Sequence, residues 1–167
     1  FFFFFDEKFY ALTEACSTFS NKSKRGYGVG SIIVDAESFE ILAWGFRRGN
    51  LHAEQDAINM LKLNCPNRED RKLTLYSTME PFIYRNDHGQ KPCAELITEI
   101  TNCKWVVIGS KDSADQRIFE EGINYLVERG KHIRLIETDE IFRPVEKETT
   151  KSEQDDGVIG DLAFALV

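Results

Sequence analysis

A chain of 167 residues, 42% hydrophobic and 29% charged, has the length of one domain and an ordinary globular composition. Its net charge of −7 counts against broad binding to nucleic acid or anionic membrane, whose phosphates attract Lys and Arg. It leaves room for a small phosphorylated ligand, which needs only a few basic groups or a helix N-terminus.

The opening Phe1–Phe5 run lacks the basic flank and cleavage pattern of a secretory signal. It reads as a trimmed or appended end, with a buried N-terminal strand as the alternative, except that Phe5 extends the pattern that follows. No apolar run approaches the ~20 residues needed to span a bilayer. Cys16, Cys65, Cys93 and Cys103 form no CxxC pair, so a reduced, cytoplasmic setting is expected rather than a disulfide framework.

Phe5, Phe9, Leu12, Cys16 and Phe19 recur in steps of four and three, which predicts a helix with one buried face. Turn formers at 21–28 end it. Residues 29–35 (VGSIIVD) and 41–46 (ILAWGF) predict a strand hairpin. A helix from His52 to about Leu63, a third strand at 73–78 and an irregular stretch to Pro92 follow. A helix opening at Cys93, a strand at 105–109, a helix ending at Gly130 and a strand at 133–136 complete the pattern. This order predicts a three-layer α/β/α domain over residues 1–139 with a central five-stranded mixed sheet. Residues 140–167 read as a polar linker or disordered stretch with an apolar end, VIGDLAFALV, that is either a strand or a helix.

Two short stretches carry chemistry. His52-Ala53-Glu54 places a metal-ligand type and a carboxylate at a helix start. Hydrolytic deamination needs exactly those two functions near one another: a metal that acidifies water, and an unligated carboxylate that moves protons. Alone, His-x-Glu is a weak signal. Met79-Glu80-Pro81 after a strand, and Cys93 opening the next helix, strengthen it, because H-x-E…P-C-x-x-C marks the zinc deaminases of nucleobases.

With these motifs, and with "VVIG" followed by "FEEGINYLVERG", the chain resembles the cytidine deaminase superfamily. Within it, the long gap before "PCAELI" resembles the riboflavin-pathway pyrimidine deaminases, in particular the fungal type. The resemblance covers roughly residues 9–136. It implies zinc held by His52, Cys93 and a cysteine at position 82, with Glu54 as proton shuttle. It also implies an amino-pyrimidine substrate, which a phosphate can accompany, and a homodimer or higher oligomer.

Position 82 departs from the pattern. Phe82 has no lone pair to donate and would instead make the pocket drier. A complete structural zinc site in small peptides is worth roughly 10–16 kcal/mol. Losing one ligand therefore removes several of these, at tenfold in affinity per ~1.4 kcal/mol.

Asp87 and His88, in the loop before Cys93, are the candidate replacement ligands. In the relatives that loop covers substrate, so the alternative is that His88 contacts ligand or solvent. Cys65 stands at the far end of the His52 helix, out of reach at ~1.5 Å per residue. Asn50 suits a sugar or base edge, as the resemblance implies, or simply a turn. Arg47 and Arg48 suit a phosphate or solvate the hairpin end. Cys16 and Cys103 read as core residues, and His132 as a surface residue.

Three functions follow from these residues: a zinc-dependent amino-pyrimidine deaminase, a metal-depleted binding or regulatory subunit, or a zinc-free enzyme that uses Glu54 as acid and base.

Overall fold

Every residue of Gly30–Asp35 (β1) is buried, as a strand flanked on both edges and covered on both faces must be. Its neighbours are Ile41–Phe46 (β2) on one side and Leu73–Met79 (β3) on the other, both antiparallel to it. The computed structural model describes residues 2–20, 28–83, 91–111 and 120–145. Cys103–Ser110 (β4) and His132–Leu135 (β5) continue the sheet in parallel with β3.

The helices are Phe2–Ser17 (α1), Ala53–Asn64 (α2), Cys93–Glu99 (α3) and Glu121–Glu128 (α4). Parallel neighbours need a crossover. Here α3 and α4 supply the two that link β3 to β4 and β4 to β5. The result is an α/β/α arrangement around a mixed sheet.

The five-stranded expectation is corrected: the sheet has six strands, in the order β2-β1-β3-β4-β5-β6. The additional strand, Glu140–Phe142 (β6), pairs antiparallel with β5. It lies just beyond residue 139 and is too short for an alternating pattern to register. The turn into it places Asp139 at φ 56°, where a short polar side chain is tolerated best. Arg134 holds that side chain at 2.9 Å. Residues 146–167, including the apolar terminal segment, lie outside the described residues.

Two cores sit on opposite faces of the sheet. The larger gathers Ile33, Leu75, Val106 and Ile108 from the strands with Ile58 and Leu61 of α2, Ile97 of α3, and Ile123 and Leu126 of α4. Burying one such side chain is worth about 1.5–3 kcal/mol. The smaller places Phe9 of α1 against Ile32, Val34, Tyr76 and Val107.

The face of α1 differs from its predicted stripe. Phe9 and Thr13 are buried, while Leu12 is 46% exposed and Phe19 67%. Thr13 fits the core because its hydroxyl donates back to the Phe9 carbonyl at 2.8 Å. A polar network ties α1 down. Tyr76 Oη donates to Asp6 at 2.7 Å, and Arg134 donates to the same carboxylate at 2.9 Å.

Of the residues read as core or surface, Cys103 is buried and Cys16 half-buried. Burial pushes the Cys103 thiol up to about 11. His132 is half-buried rather than a surface residue and stacks on Trp105 at 4.9 Å. Among the described residues no helix is long and apolar enough to cross a membrane.

One close approach sets the position of α2. Gly45 faces its first turns, and a Cβ there would collide with the Ala53 carbonyl and the Ala57 amide. Gly45→Ala is therefore expected to lower stability by about 1–3 kcal/mol, as overpacking does, measured by urea denaturation. A wild-type midpoint would contradict the close approach.

A second prediction concerns Asp35, whose carboxylate accepts the Glu37 and Ser38 amides at 2.8 and 3.0 Å and Arg71 at 3.1 Å. Burial pushes this carboxyl up, but the two amides and the guanidinium pull it further down, below its ordinary value of 3.8. Its contribution is thus complete above about pH 4 and is lost as pH falls through the lowered folded value. Acid titration followed by circular dichroism should show a shallower unfolding limb in Asp35→Asn than in the native protein.

Candidate functional site

Gly49, at φ 57°, allows the tight turn in which Arg48 and Leu51 exchange backbone hydrogen bonds at 2.9 and 3.0 Å. This turn carries the chain from β2 into α2. Asn50 lies exposed on it. His52 is the N-cap residue of α2, in extended conformation, and its carbonyl accepts the Asp56 amide at 2.9 Å. Its side chain does not cap the helix. The imidazole Nδ1 instead lies 3.3 Å from Cys93 Sγ, at the start of α3.

Glu54 belongs to the first turn of α2, where a carboxylate complements the helix dipole. It is 3% exposed, a burial that a polar group tolerates only with a hydrogen-bond partner. Ser77 of β3 provides one, donating to Oε1 at 2.8 Å. The ligand atoms of His52, Glu54 and Cys93 all lie within 4.8 Å of one another. Three residues separated by up to 41 positions thus converge beside Ser77, in the carboxyl-terminal half of β3.

Phe82 adjoins this cluster. Its ring stands edge-on to His52, with centroids 6.2 Å apart, and its carbonyl accepts the Ala94 amide at 3.2 Å. Positions 82 and 93 are therefore neighbours in space, as the motif spacing implies. Asp87 and His88 lie outside the described residues.

A catalytic zinc takes three protein ligands and keeps one position open. His52 and Cys93 suit two of these, but Phe82 offers no donor atom. Recruiting Glu54 as the third would remove the carboxylate from proton transfer. Among the described residues the donor set is one short of such a centre.

The two arginines have separate settings. The backbone of Arg47 continues the sheet pairing, with its amide donating to Val29 at 3.1 Å. Arg48 forms an ion pair with the buried Asp56 and lies over the Phe46 ring at 5.0 Å. The Asp56 carboxylate also accepts the Phe46 amide at 3.3 Å.

Two residues escaped the sequence reading. Ser77 was legible only as a polar position in an otherwise buried strand. Glu80, quoted for its motif, anchors the start of α4 by accepting the Glu120 and Ile123 amides at 3.3 and 3.1 Å. Gly122 packs so closely on the Pro81 carbonyl that a Cβ would collide with it. The segment leading to Phe82 is thus clamped from the α4 side.

No family model and no curated protein matches the chain. Solved structures do. A diaminohydroxyphosphoribosylaminopyrimidine deaminase/5-amino-6-(5-phosphoribosylamino)uracil reductase from Thermotoga maritima superposes with a TM-score of 0.66 at 25% identity. The match covers 80% of this chain and 37% of that one. The Aspergillus oryzae Rib2 deaminase in complex with DARIPP gives 0.62 at 22% identity, covering 78% and 82% of the two chains. The dCMP deaminase of cyanophage S-TIM5 gives 0.57 at 24% identity, covering 78% and 96%.

The fold is that of the cytidine deaminase superfamily. Within that fold the chain spans little more than a third of the Thermotoga protein.

The position of Phe82 generates a metal prediction. Phe82→Cys adds a thiolate-forming donor beside His52 and Cys93 and is expected to raise zinc affinity by about a hundredfold or more, as several kcal/mol of ligand energy would. Competition with a chromophoric chelator measures it. An unchanged affinity would show that side chain 82 does not reach the metal. Stoichiometric zinc in the native protein that is lost in His88→Ala would show that the loop supplies a donor.

Proposed function

We propose that the chain is a hydrolytic deaminase of an amino-pyrimidine, with Glu54 as the group that moves protons. The observation that carries this reading is a buried carboxylate, held by Ser77, within 4.8 Å of two side chains of metal-ligand type. The names of the superposing proteins support a pyrimidine base carrying an exocyclic amine, either a ribitylated riboflavin precursor or a nucleoside or nucleotide.

In this reading His52 and Cys93, with Asp87 or His88, would hold a zinc ion, which would acidify a water. The remaining chemistry belongs to the chain. Glu54 takes the proton released as water adds to the ring carbon bearing the amine. It delivers that proton to the ring nitrogen and then assists protonation of the departing amine. A C–O bond forms, the C–N bond breaks, and ammonia leaves. Ser77 directs one carboxylate oxygen during these transfers. Asn50, on the turn before His52, is suited to a sugar or base edge. Arg47 and Arg48 are suited to a phosphate, while Phe82 and His88 are suited by type to contact the substrate.

Phe82 favours a second reading. Without a third donor the chain would bind the pyrimidine and not turn it over, serving as a binding or regulatory subunit.

Glu54→Gln separates the two. Under the deaminase reading the native protein releases ammonia from cytidine, its phosphates or riboflavin-pathway pyrimidines. The variant should be slower by at least about 10²–10⁴-fold, the worth of positioned acid–base catalysis. Equal rates would remove Glu54 from the mechanism. Native protein that binds the same pyrimidines by calorimetry, without ammonia release at saturating zinc, would establish the second reading.

A further inference from the structure

We propose that His132 makes the edge strand β6 releasable by acid: neutral, it completes a stack that clasps the strand to the sheet, and protonated, it drives that clasp apart. This proposal does not depend on the deaminase reading.

The β6 strand is a short edge, three residues paired with β5. Side chains therefore carry much of its attachment. Arg143, the residue after β6, lies over the Trp105 ring of β4, 5.9 Å from its centroid. Because β5 separates β4 from β6 in the sheet, this contact reaches across the intervening strand. His132, the first residue of β5, fills the gap beneath it. It pairs with Trp105 along the ladder and stacks on that ring at 4.9 Å, with 25° between the planes. Arg143, Trp105 and His132 thus form one clasp over three strands.

The other tie to β6 lies at its opposite end, where Lys111 meets Glu140 at 3.4 Å. The Thr138 hydroxyl, and then Lys111, hold the Glu140 carboxyl below its ordinary value. That pair therefore stays charged through the range in which a histidine takes up a proton.

The setting of His132 suits a neutral ring. Its Nδ1 is buried and has no hydrogen-bond partner among the described residues, and a buried charge without one is costly. The charges that act on it are both positive, Arg143 and the Lys104 ammonium of β4. The remaining charged neighbours are committed elsewhere. Arg134, two residues on and on the same face, is held by Asp6 of α1 and by Asp139, each at 2.9 Å. Lys131 turns its ammonium to the Ile100 and Cys103 carbonyls. Burial first, then Arg143 and Lys104, hold the His132 imidazole below its ordinary value of 6.5.

A proton therefore binds more tightly to the open form, in which the ring is hydrated and away from Arg143. The clasp is complete above about pH 6.5 and weakens as pH falls below it towards the lowered value of the closed form. Opening leaves β6 on its three-residue ladder and bares the outer edge of β5, the kind of edge that native sheets keep covered.

Hydrogen exchange and histidine NMR on the full chain test this. Expressed as protection factors, the β6 amides should lose protection between about pH 7.5 and pH 5, either side of the ordinary histidine value. The β1 amides should keep theirs. The chain has three histidines, and the His132 ring signal is the one lost in His132→Phe. It should titrate below 6.5 in the native protein and move up towards that value in Arg143→Gln. His132→Phe keeps a ring for Trp105 but binds no proton, so its β6 protection should be the same at both pH values. His132→Gln gives the same test should that variant not fold. Native β6 protection that does not change with pH would overturn the proposal, as would a loss that persists without the histidine. A His132 titration at or above 6.5 would also overturn it, as would an equal loss in β1, the mark of global unfolding.

Discussion

A carboxylate removed from water must be held by something, and in this protein the holding group lies on the neighbouring strand. Glu54 is 3% exposed and is oriented by Ser77, itself wholly buried. This hydrogen bond, with the burial of Ala57, Ile58 and Leu61, seats α2 on the sheet. The Gly45 contact sets the approach of the same helix to β2. Together they bring His52, one residue before α2, to the start of α3 and to Cys93. The cluster is thus a consequence of how α2 is seated on the sheet.

Phe82 brings a backbone contact to the cluster but no donor atom. Its carbonyl still receives the Ala94 amide, a bond indifferent to the side chain at 82. Glu80 and Gly122 clamp the same segment from α4. Neither clamp depends on a metal. The scaffold would therefore survive replacement of a ligand by an aromatic ring, whereas metal affinity would not. This separation between backbone and ligand makes a binding role and a catalytic role compatible with one fold.

The opposite face is organised by different forces. Only α1 covers it among the described helices, and it is secured by aromatic packing and by the network of Tyr76, Asp6 and Arg134. Burial pushes the Tyr76 hydroxyl up, and its hydrogen bond to the Asp6 carboxylate reinforces the shift. The tyrosine stays protonated and remains a donor. Because α1 is a single helix over a wide sheet, the flank bearing Trp44 is left uncovered.

Periodicity was enough to identify the helices and the long strands, because burial on one face leaves a repeat of 3.6 or 2 in the residue order. Spacing also marked His52, Glu54 and Cys93 as one group, and the residue type at 82 offers no donor atom. Neither signal could reveal β6, whose three residues acquire strand form only by pairing with β5. Nor could α1 be read fully: its regular apolar spacing concealed that Thr13 is buried and Leu12 is not, since the angle at which a helix crosses a sheet decides which flank is covered. Ser77 became a functional candidate only when folding brought it across 23 positions of chain to Glu54. Local sequence determines which elements can form and what chemistry they carry. Which polar groups meet is decided by tertiary packing, because hydrogen bonds between distant residues leave no periodic trace in the sequence.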